Sequence, residues 1–492
     1  MFGGRHRGGG SPYHPQVPTR GRRAPSADPE LLRVQDAFFL YTDTPRVRQQ
    51  VGGLAMVDWA QAPSGGEPVS LSLLRDHIAA QLGHWPRLRQ RLAFPRFSLA
   101  RPVWVEDGSF SVEQHVFAAQ LDPPGDRAAL ERYVASAMNQ GFDRARPLWE
   151  VHLLNGLDEG RQAVLLKVHH AVADGLGTIH TGASILFDES PDAAPPPPYF
   201  PGPARPERGA PPVTGAAFRQ QLARTGRTAA AGWQAALGSP GAAWRQSART
   251  ARGVWELARA GPAPASALSR PIGTRRRLLL GDLPLAEFRT VRRAHHATAN
   301  EVILALASAV AAELAPANGD RTGTVRASLP VSTRRRGPLE PGSHTSALMV
   351  DIPATPLDPA ERLAAVRSAM APLKASEQPR GSQFVMAAVG SLTPPRLHAA
   401  ASRWMYRGKW FNLIATNMPG PAHELYLGSA PVPVAYPIVP LAEDVALAVG
   451  AMSWADTVAI GVTTDADALP APPTGVIEAF WRPLVEAAGA GG

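Results

Sequence analysis

The residues with the clearest chemical potential lie in one short run, Lys167-Val-His169-His170-Ala-Val-Ala-Asp174-Gly175. A neutral imidazole can take a proton from an attacking alcohol and return it to a departing thiolate, because its pKa lies near neutral pH. Adjacent strand residues point to opposite faces, so only one histidine should enter a given cavity unless the strand ends between them. The other histidine should be structural. We take His169, His170 and Asp174 as candidate catalytic residues.

Asp174 is expected to position the imidazole. Aspartate is a good helix N-cap and Gly175 permits an unusual backbone angle, so the chain should turn here from a strand into a helix. We expect Asp174 to fix the loop through an ion pair, with Arg334 as its basic partner.

Apolar spacing predicts the elements that hold this run. Ala163 to Val168 is typical of a buried strand that ends at the histidines, while Leu176, Ile179, Ala183 and Leu186 fall on one helical face. The site is therefore predicted at a strand-to-helix junction, at the carboxyl edge of a sheet, where α/β proteins often bind ligands.

The rest of the chain repeats this mixture of helices and strands. Trp233, Trp244 and Trp255 are equally spaced at close to three helical turns, which predicts one stripe on helices that cross between domains. Further elements are expected at Leu71 to Leu82, Asn300 to Leu314 and Ala360 to Ala371 (helices), and at Arg276 to Leu280, Val325 to Val331, Leu413 to Thr416, Val445 to Gly450 and Thr457 to Thr463 (strands, the last two as a hairpin).

Composition sets the boundaries of the interpretation. The 492 residues contain no cysteine, which excludes disulfides, thiolate metal sites and a cysteine nucleophile. The net charge of +9 favours anionic partners. No apolar run is long enough to span a bilayer, and the basic N-terminus lacks the apolar core of a signal peptide. We expect a cytoplasmic protein, with peripheral contact to the inner face of the membrane left open.

Proline and glycine content divides the chain. The first residues are rich in Gly, Arg and Pro and should be disordered, and a proline-rich stretch from Pro191 to Pro212 should be an extended crossover. The predicted units are 1–28, a disordered basic tail; 29–188, an N-terminal domain carrying the histidines; 189–273, the crossover and connecting helices; and 274–484, a C-terminal domain.

A second histidine pair serves as an internal comparison. His295-His296 lacks the Asp-Gly that follows the first pair, so we expect a structural or surface role for it. Asn300, shortly after, has two open roles: it caps the following helix or lends its amide to the site.

Several segments resemble one known family. His169-His170-Ala-Val-Ala-Asp174-Gly175 is similar to the HHxxxDG signature of wax ester synthase/diacylglycerol acyltransferases, condensation domains and chloramphenicol acetyltransferase-like enzymes. Four further stretches narrow the resemblance to the first of these, in the same order along the chain: Pro147-Leu148-Trp149-Glu150, Asn300-Glu301-Val302-Ile303, Leu329 to Arg334, and Asn417-Met418-Pro419-Gly420-Pro421.

The resemblance implies an α/β, two-domain CoA-dependent acyltransferase (chloramphenicol acetyltransferase-like) fold with a channel at the domain interface. It implies that His170 is the general base for transfer of a fatty acyl group from acyl-CoA to diacylglycerol or a long-chain alcohol. Acyl-CoA would be a co-substrate; no cofactor, metal or nucleic acid is expected. The residues expected to support the motif are Gly175, Pro147, Leu148, Trp149, Asn300, Glu301, Arg334 and Asn417.

Some residues depart from the family pattern. Glu301 stands in place of the usual Asp, Thr416 in place of Ser, and Gly342-Ser343-His344 where the family more often has Gly-Asn. The last change keeps open a non-enzymatic lipid-binding protein of the same fold. A condensation-type acyltransferase that uses a carrier-protein thioester also stays open. A metal hydrolase is disfavoured, because adjacent strand histidines cannot readily bind one ion.

Overall fold

A computed structural model describes residues 30–62, 66–98, 100–158, 161–173, 182–192, 213–315, 323–332 and 345–490. The predicted basic tail, most of the proline-rich crossover, and the site residues Asp174, Gly175 and Arg334 lie outside these residues, as do Ser343 and His344.

A five-stranded sheet carries the histidines. Its order is β14-β2-β7-β6-β5, and β7 is antiparallel to both of its neighbours. The edge strand β14 comes from far along the chain, yet it pairs antiparallel with β2, with Pro437 opposite Gly53. The strands are β2 Gln50–Val57, β5 Val116–Gln120, β6 Trp149–Asn155, β7 Gln162–His169 and β14 Val434–Ile438.

A six-stranded sheet occupies the second half of the chain. Its order is β10-β9-β11-β15-β16-β8, mixed in direction, with β11 parallel to β9 and β15. Its strands are β8 Arg276–Pro284, β9 Thr324–Ser332, β10 Thr345–Pro353, β11 Leu413–Met418, β15 Leu447–Trp454 and β16 Thr457–Asp465. Smaller sheets are formed by β1 Glu30–Leu31, β3 Gln90–Ala93 and β4 Val103–Glu106, and by β12 Leu425–Leu427 with β13 Ala430–Val432.

Helices cover these sheets, and local sequence explains where several of them begin. Ser70 and Asp126 accept hydrogen bonds from backbone N–H groups in the first turns of α2 and α3, as N-caps do. Among the described residues, the helices of nine residues or more are α1 Val34–Thr42, α2 Leu71–Gln81, α3 Arg127–Asn139, α4 Val213–Gly238, α5 Pro240–Ala260, α6 Leu285–Ala294, α7 Ala299–Leu314, α8 Pro359–Met370, α9 Gln378–Leu392, α10 Pro395–Met405 and α11 Val476–Ala490.

The other elements predicted within the described residues are present, with ends that differ from the prediction by at most four residues, and β15 and β16 form the expected hairpin. The helix predicted on the face of Leu176, Ile179, Ala183 and Leu186 begins outside the described residues. The prediction that the three tryptophans form one stripe is wrong. Trp233 lies on α4, whereas Trp244 and Trp255 lie on α5, because Pro240 occupies the first turn of a new helix. The histidines lie at the carboxyl end of β7, but β2 and β6 run antiparallel to it, so the carboxyl ends of these neighbouring strands lie at the opposite edge of the sheet.

Within the described residues, no single helix has the length and hydropathy to cross a membrane. The consecutive helices α6 and α7 satisfy both criteria only together, and they are bent by 97° relative to each other.

Candidate active site

The two histidines lie where β7 ends. His169 is the last residue of the strand, and His170 begins the turn that follows. The His170 N–H still donates to the Gln49 carbonyl at 2.8 Å, so the backbone stays paired at this point with the residue just before β2. Because the strand ends between the two residues, alternation along β7 does not decide the direction of the His170 ring, which is instead set by its contact with Phe39.

His169 is buried, and one nitrogen of its ring is hydrogen-bonded to the backbone. Its Nδ1 accepts the Ala171 N–H at 3.0 Å, which places the proton of a neutral ring on Nε2. Nε2 lies 3.8 Å from the Asp43 carboxylate, and the side chain is only 3% exposed. This environment fits a structural or positioning role for His169, not contact with a substrate.

Asp43 joins several groups behind the site. Its carboxylate accepts Arg144 at 2.8 Å and the Gln49 N–H at 3.3 Å, the same Gln49 whose carbonyl receives His170. Burial alone would raise the pKa of Asp43, but the neighbouring His169 and Arg144 outweigh it and hold the pKa below its usual range. Asp43 therefore stays ionised and ties the start of β2 to the end of β7.

His170 is half-buried and stacks on Phe39 of α1. The ring centroids are 3.6 Å apart and the planes differ by 16°. Tyr406, after α10, contacts the same Phe39 edge to face at 6.0 Å. Because Phe39 is itself buried, this stack fixes the plane of the imidazole while part of His170 stays accessible.

The segment from Pro147 to Glu150 contacts the strand that carries the histidines. The Leu148 carbonyl accepts the His169 N–H at 3.0 Å, and buried Trp149 donates its indole N–H to the Leu88 carbonyl at 2.7 Å. Glu150 pairs with Lys167 at 2.9 Å. Burial would raise the pKa of Glu150, but hydrogen bonds from His152 and Lys167 lower it. Pro147 is buried beside these residues. The segment thus braces the strand that carries the histidines.

Asn300 and Asn417 meet in the second half of the molecule. The Asn417 side-chain N–H donates to the Asn300 side-chain oxygen at 3.0 Å, linking β11 to α7. Asn300 is not the helix cap, because Thr298 holds that position and forms a capping box with Glu301. Glu301 is buried and also lies 3.1 Å from Lys374. The alternative that Asn300 caps α7 is therefore wrong.

An apolar crevice lies along one face of the five-stranded sheet. Its walls include Leu166 and Val164 of β7, and Met418 and Trp454 from the other sheet. A Cβ atom added at Gly53, in the middle of β2, would have no neighbour within 4 Å. Gly53 therefore leaves open space where any other residue would narrow the crevice.

The arginine run Arg275 to Arg277 is engaged in contacts within the protein. Arg276 pairs with buried Asp465, and Arg275 pairs with Asp467. Arg277 donates to the Leu469 carbonyl at 2.7 Å. These contacts give the run a structural role between β8 and the end of β16.

Sequence reasoning missed Asp43, Phe39 and Gly53. They lie more than a hundred residues before the histidines and match no motif, so only the fold brings Asp43 and Phe39 to them and Gly53 to the crevice. A weak signal existed for Gly53, because a glycine pair inside an otherwise apolar strand often marks close approach of a ligand or of another backbone.

Comparison with known proteins gives consistent matches over nearly the whole chain. A model of the wax ester synthase/diacylglycerol acyltransferase catalytic domain matches residues 32–303, and one of the WS/DGAT C-terminal domain matches residues 342–478. A Mycobacterium tuberculosis protein named probable diacylglycerol O-acyltransferase tgs1 is 30% identical over 454 residues, covering 89% of this chain and 91% of that protein. The tgs2 protein of the same species is 26% identical over 422 residues, covering 85% and 90%.

Solved structures agree on the fold. A wax ester synthase/diacylglycerol acyltransferase from Marinobacter aquaeolei has a TM-score of 0.63 at 22% identity, covering 94% of this chain and 99% of its own. The first condensation domain of the CDA synthetase has a TM-score of 0.57 at 16% identity, covering 94% and 96%. These likenesses confirm the two-domain acyltransferase fold expected from the sequence.

Proposed function

The chain belongs to the wax ester synthase/diacylglycerol acyltransferase family, and we propose that it transfers a fatty acyl group from acyl-CoA to diacylglycerol or a long-chain alcohol with His170 as general base. The observation that supports the proposal is the placement of His170, half-buried at the end of β7 and stacked on Phe39, on the same strand whose Leu166 lines an apolar crevice. His169, Asp43 and Gln49 act as positioning residues behind it.

The reaction follows from this placement. The imidazole takes the hydroxyl proton of the acceptor while the alcohol oxygen attacks the thioester carbonyl carbon, and an oxyanion forms. Collapse of that intermediate re-forms the carbonyl and breaks the C–S bond. The imidazolium returns the proton to the departing CoA thiolate, so the products are an ester and free CoA and the histidine is regenerated.

Nδ1 is the buried nitrogen of His170, whereas the residue as a whole is half-exposed. The proposal therefore assigns proton transfer to Nε2, on the more open edge of the ring. Neither nitrogen needs to form a covalent bond with the acyl group.

The crevice supplies the apolar half of the site. Its lining is aliphatic and aromatic, with no charged side chain among the residues that form it. Such a surface suits an acyl or alkyl chain and provides no partner for a charged one. We assign it to one of the two long chains that must meet at His170.

Both substrates are amphiphiles, which bears on location. An acceptor such as diacylglycerol resides in a lipid phase, so the proposal includes a cytoplasmic protein that contacts membranes or lipid droplets peripherally. The net charge of +9 fits attraction to anionic headgroups and to CoA phosphates.

Replacing the base tests the proposal. In His170→Ala, the rate of ester formation from palmitoyl-CoA and either hexadecanol or a diacylglycerol should fall by about 10²- to 10⁴-fold, the usual contribution of a positioned base. Thin-layer chromatography of labelled product measures it. The far-UV circular dichroism and the midpoint of thermal unfolding should stay near those of the natural chain.

His296→Asn is the matched control. His296 belongs to the other histidine pair and has a positive φ of 48°, a conformation that asparagine tolerates well. Its activity should equal that of the natural chain. Undiminished transfer by His170→Ala would refute the assigned base. Transfer from an acyl-loaded carrier protein but not from palmitoyl-CoA would favour the condensation-type reaction instead.

A further inference from the structure

A cluster of exposed aromatic and basic side chains lies on one part of the surface. Phe97 is 79% exposed, Leu397 59%, Trp404 50% and Phe94 49%, and all four are large apolar side chains. Exposing large apolar side chains to water is unfavourable, so a contiguous group of them commonly marks an interaction site. We call the four residues, together with Arg396 and Arg403, the aromatic–basic surface.

The members of this surface are neighbours in space. A crevice separates the loop at residues 94–98 from α10, and it is lined by Phe94 and Ser98 on one side and by Arg396 and Arg403 on the other. Along α10 the exposed positions are Arg396, Leu397, Ala400, Arg403 and Trp404, which recur at the spacing of one helical face. The loop and the exposed face of α10 thus flank the same opening.

The charge of this region has a single sign. The sequence of α10, PRLHAAASRWM, contains two arginines and no acidic residue. Lys409, just beyond the helix, places its ammonium 5.5 Å from the ring centroid of Trp404. Aromatic rings beside cations are the composition that favours the boundary between lipid headgroups and acyl chains.

Phe97 is presented outward by its own backbone. Its φ is 58°, and the φ of Ser98 is 53°, both in the left-handed region that bulky residues rarely adopt. A phenylalanine there gains almost no burial within the described fold. The conformation therefore projects the ring into the surroundings of the protein.

The same helix leads from this surface to the active site. Arg403 donates to the Tyr41 carbonyl at 3.0 Å, and Tyr41 belongs to α1, the helix that places Phe39 against His170. Tyr406, directly after the end of α10, packs on Phe39. A lipid layer touching α10 would thus lie close to the element that orients the base.

We propose that the aromatic–basic surface docks the protein on an anionic lipid membrane, with the phenylalanine, leucine and tryptophan side chains entering the headgroup boundary and the arginines contacting lipid phosphates. The proposal rests on the proposed function insofar as the membrane holds the acceptor. It deepens that function by stating which face meets the lipid.

The test compares the full-length natural chain with the triple variant Phe97→Asn, Leu397→Gln, Arg396→Glu. Asparagine suits the positive φ at position 97, and the other two changes lie on exposed helix positions, so folding should be preserved. Cosedimentation with phosphatidylcholine vesicles containing about 30% phosphatidylglycerol should show at least a roughly tenfold weaker partition coefficient for the variant, since each basic residue near an anionic surface adds measurably to binding.

The control Leu357→Gln, Arg289→Glu removes an exposed leucine and reverses one exposed arginine, as the test variant does, but elsewhere in the second half of the chain. It should bind vesicles like the natural chain. Equal binding by the triple variant, or an equal loss in the control, would overturn the proposal. So would natural-chain binding that does not depend on phosphatidylglycerol.

Activity separates this proposal from the proposed function. With palmitoyl-CoA and hexadecanol in neutral detergent micelles, the triple variant should match the natural chain, whereas its rate on anionic vesicles should fall with its binding. A natural chain that binds vesicles but transfers no acyl group in either system would contradict the proposed function alone.

Discussion

Asp43 shows how a residue outside any motif can hold one that lies within it. Its carboxylate contacts His169, Arg144 and the backbone of Gln49, and Gln49 in turn receives the His170 N–H. The imidazole of His170, which we propose as the base, is therefore positioned through its own backbone, one residue beyond the buried His169. This arrangement gives the first histidine of the pair a function without any contact with substrate.

The lowered pKa of Asp43 predicts that Asp43→Asn lowers the stability of the fold by an amount that depends on pH. A carboxyl whose pKa is lower in the folded state stabilises the fold above its unfolded pKa of about 3.9, and this stabilisation is lost as the pH falls through the folded value. Urea unfolding should show a deficit of about 1–3 kcal/mol for the variant at pH 6–7, and the gap should narrow toward pH 3. Asp143→Asn, at an exposed site, should show no such trend. A deficit that is constant with pH would contradict the ionised state assigned here.

At the scale of elements, the strand β7 and its break at the histidines could be predicted, because a buried apolar run followed by Asp-Gly is a strong local signal. The pairing of Asn300 with Asn417 was anticipated only as two supporting residues, since no local pattern states which side chains meet. The antiparallel neighbours of β7 and the arrival of β14 at β2 depend on contacts between distant segments. Sequence periodicity reports which face is buried, but not against what.

The position of Gly53 in strand β2 leads to a separate prediction. In Gly53→Leu, the new side chain would occupy the crevice, so the chain that lies there should have to be shorter. Two rate ratios should be measured: palmitoyl-CoA against octanoyl-CoA, and hexadecanol against octanol. One of these ratios should fall by about 10-fold or more, the scale of discrimination by apolar bulk. Gly108→Leu is the control, because its Cβ also meets open space but outside the crevice. Unchanged ratios for both substrates would exclude the crevice as a chain site.

At the scale of the whole molecule, β14 couples the two large sheets. It pairs with β2 in one sheet, while a Cβ atom at Gly461 of β16, in the other, would collide with the Pro437 carbonyl oxygen. The sheets approach this closely only because position 461 has no side chain. The two halves of the chain therefore share a junction that neither could build alone.

This junction predicts that Gly461→Val destabilises both sheets together. The free energy of unfolding should fall by roughly 3 kcal/mol or more, because backbone must move to admit the side chain. Gly53→Val, also within a strand but facing open space, should cost far less. Chemical unfolding followed by circular dichroism measures both. Similar losses in the two variants would show that the contact with Pro437 is not tight.

The same strand has a consequence for how the protein is made. During translation β2, β7 and β6 leave the ribosome long before residues 434–438, so the edge of β2 stays unpaired while most of the second half is still being synthesised. An open strand edge invites pairing with other nascent chains. Slow elongation should therefore lengthen the period of risk, and the yield of native protein should depend on how quickly the ribosome reaches Ile438.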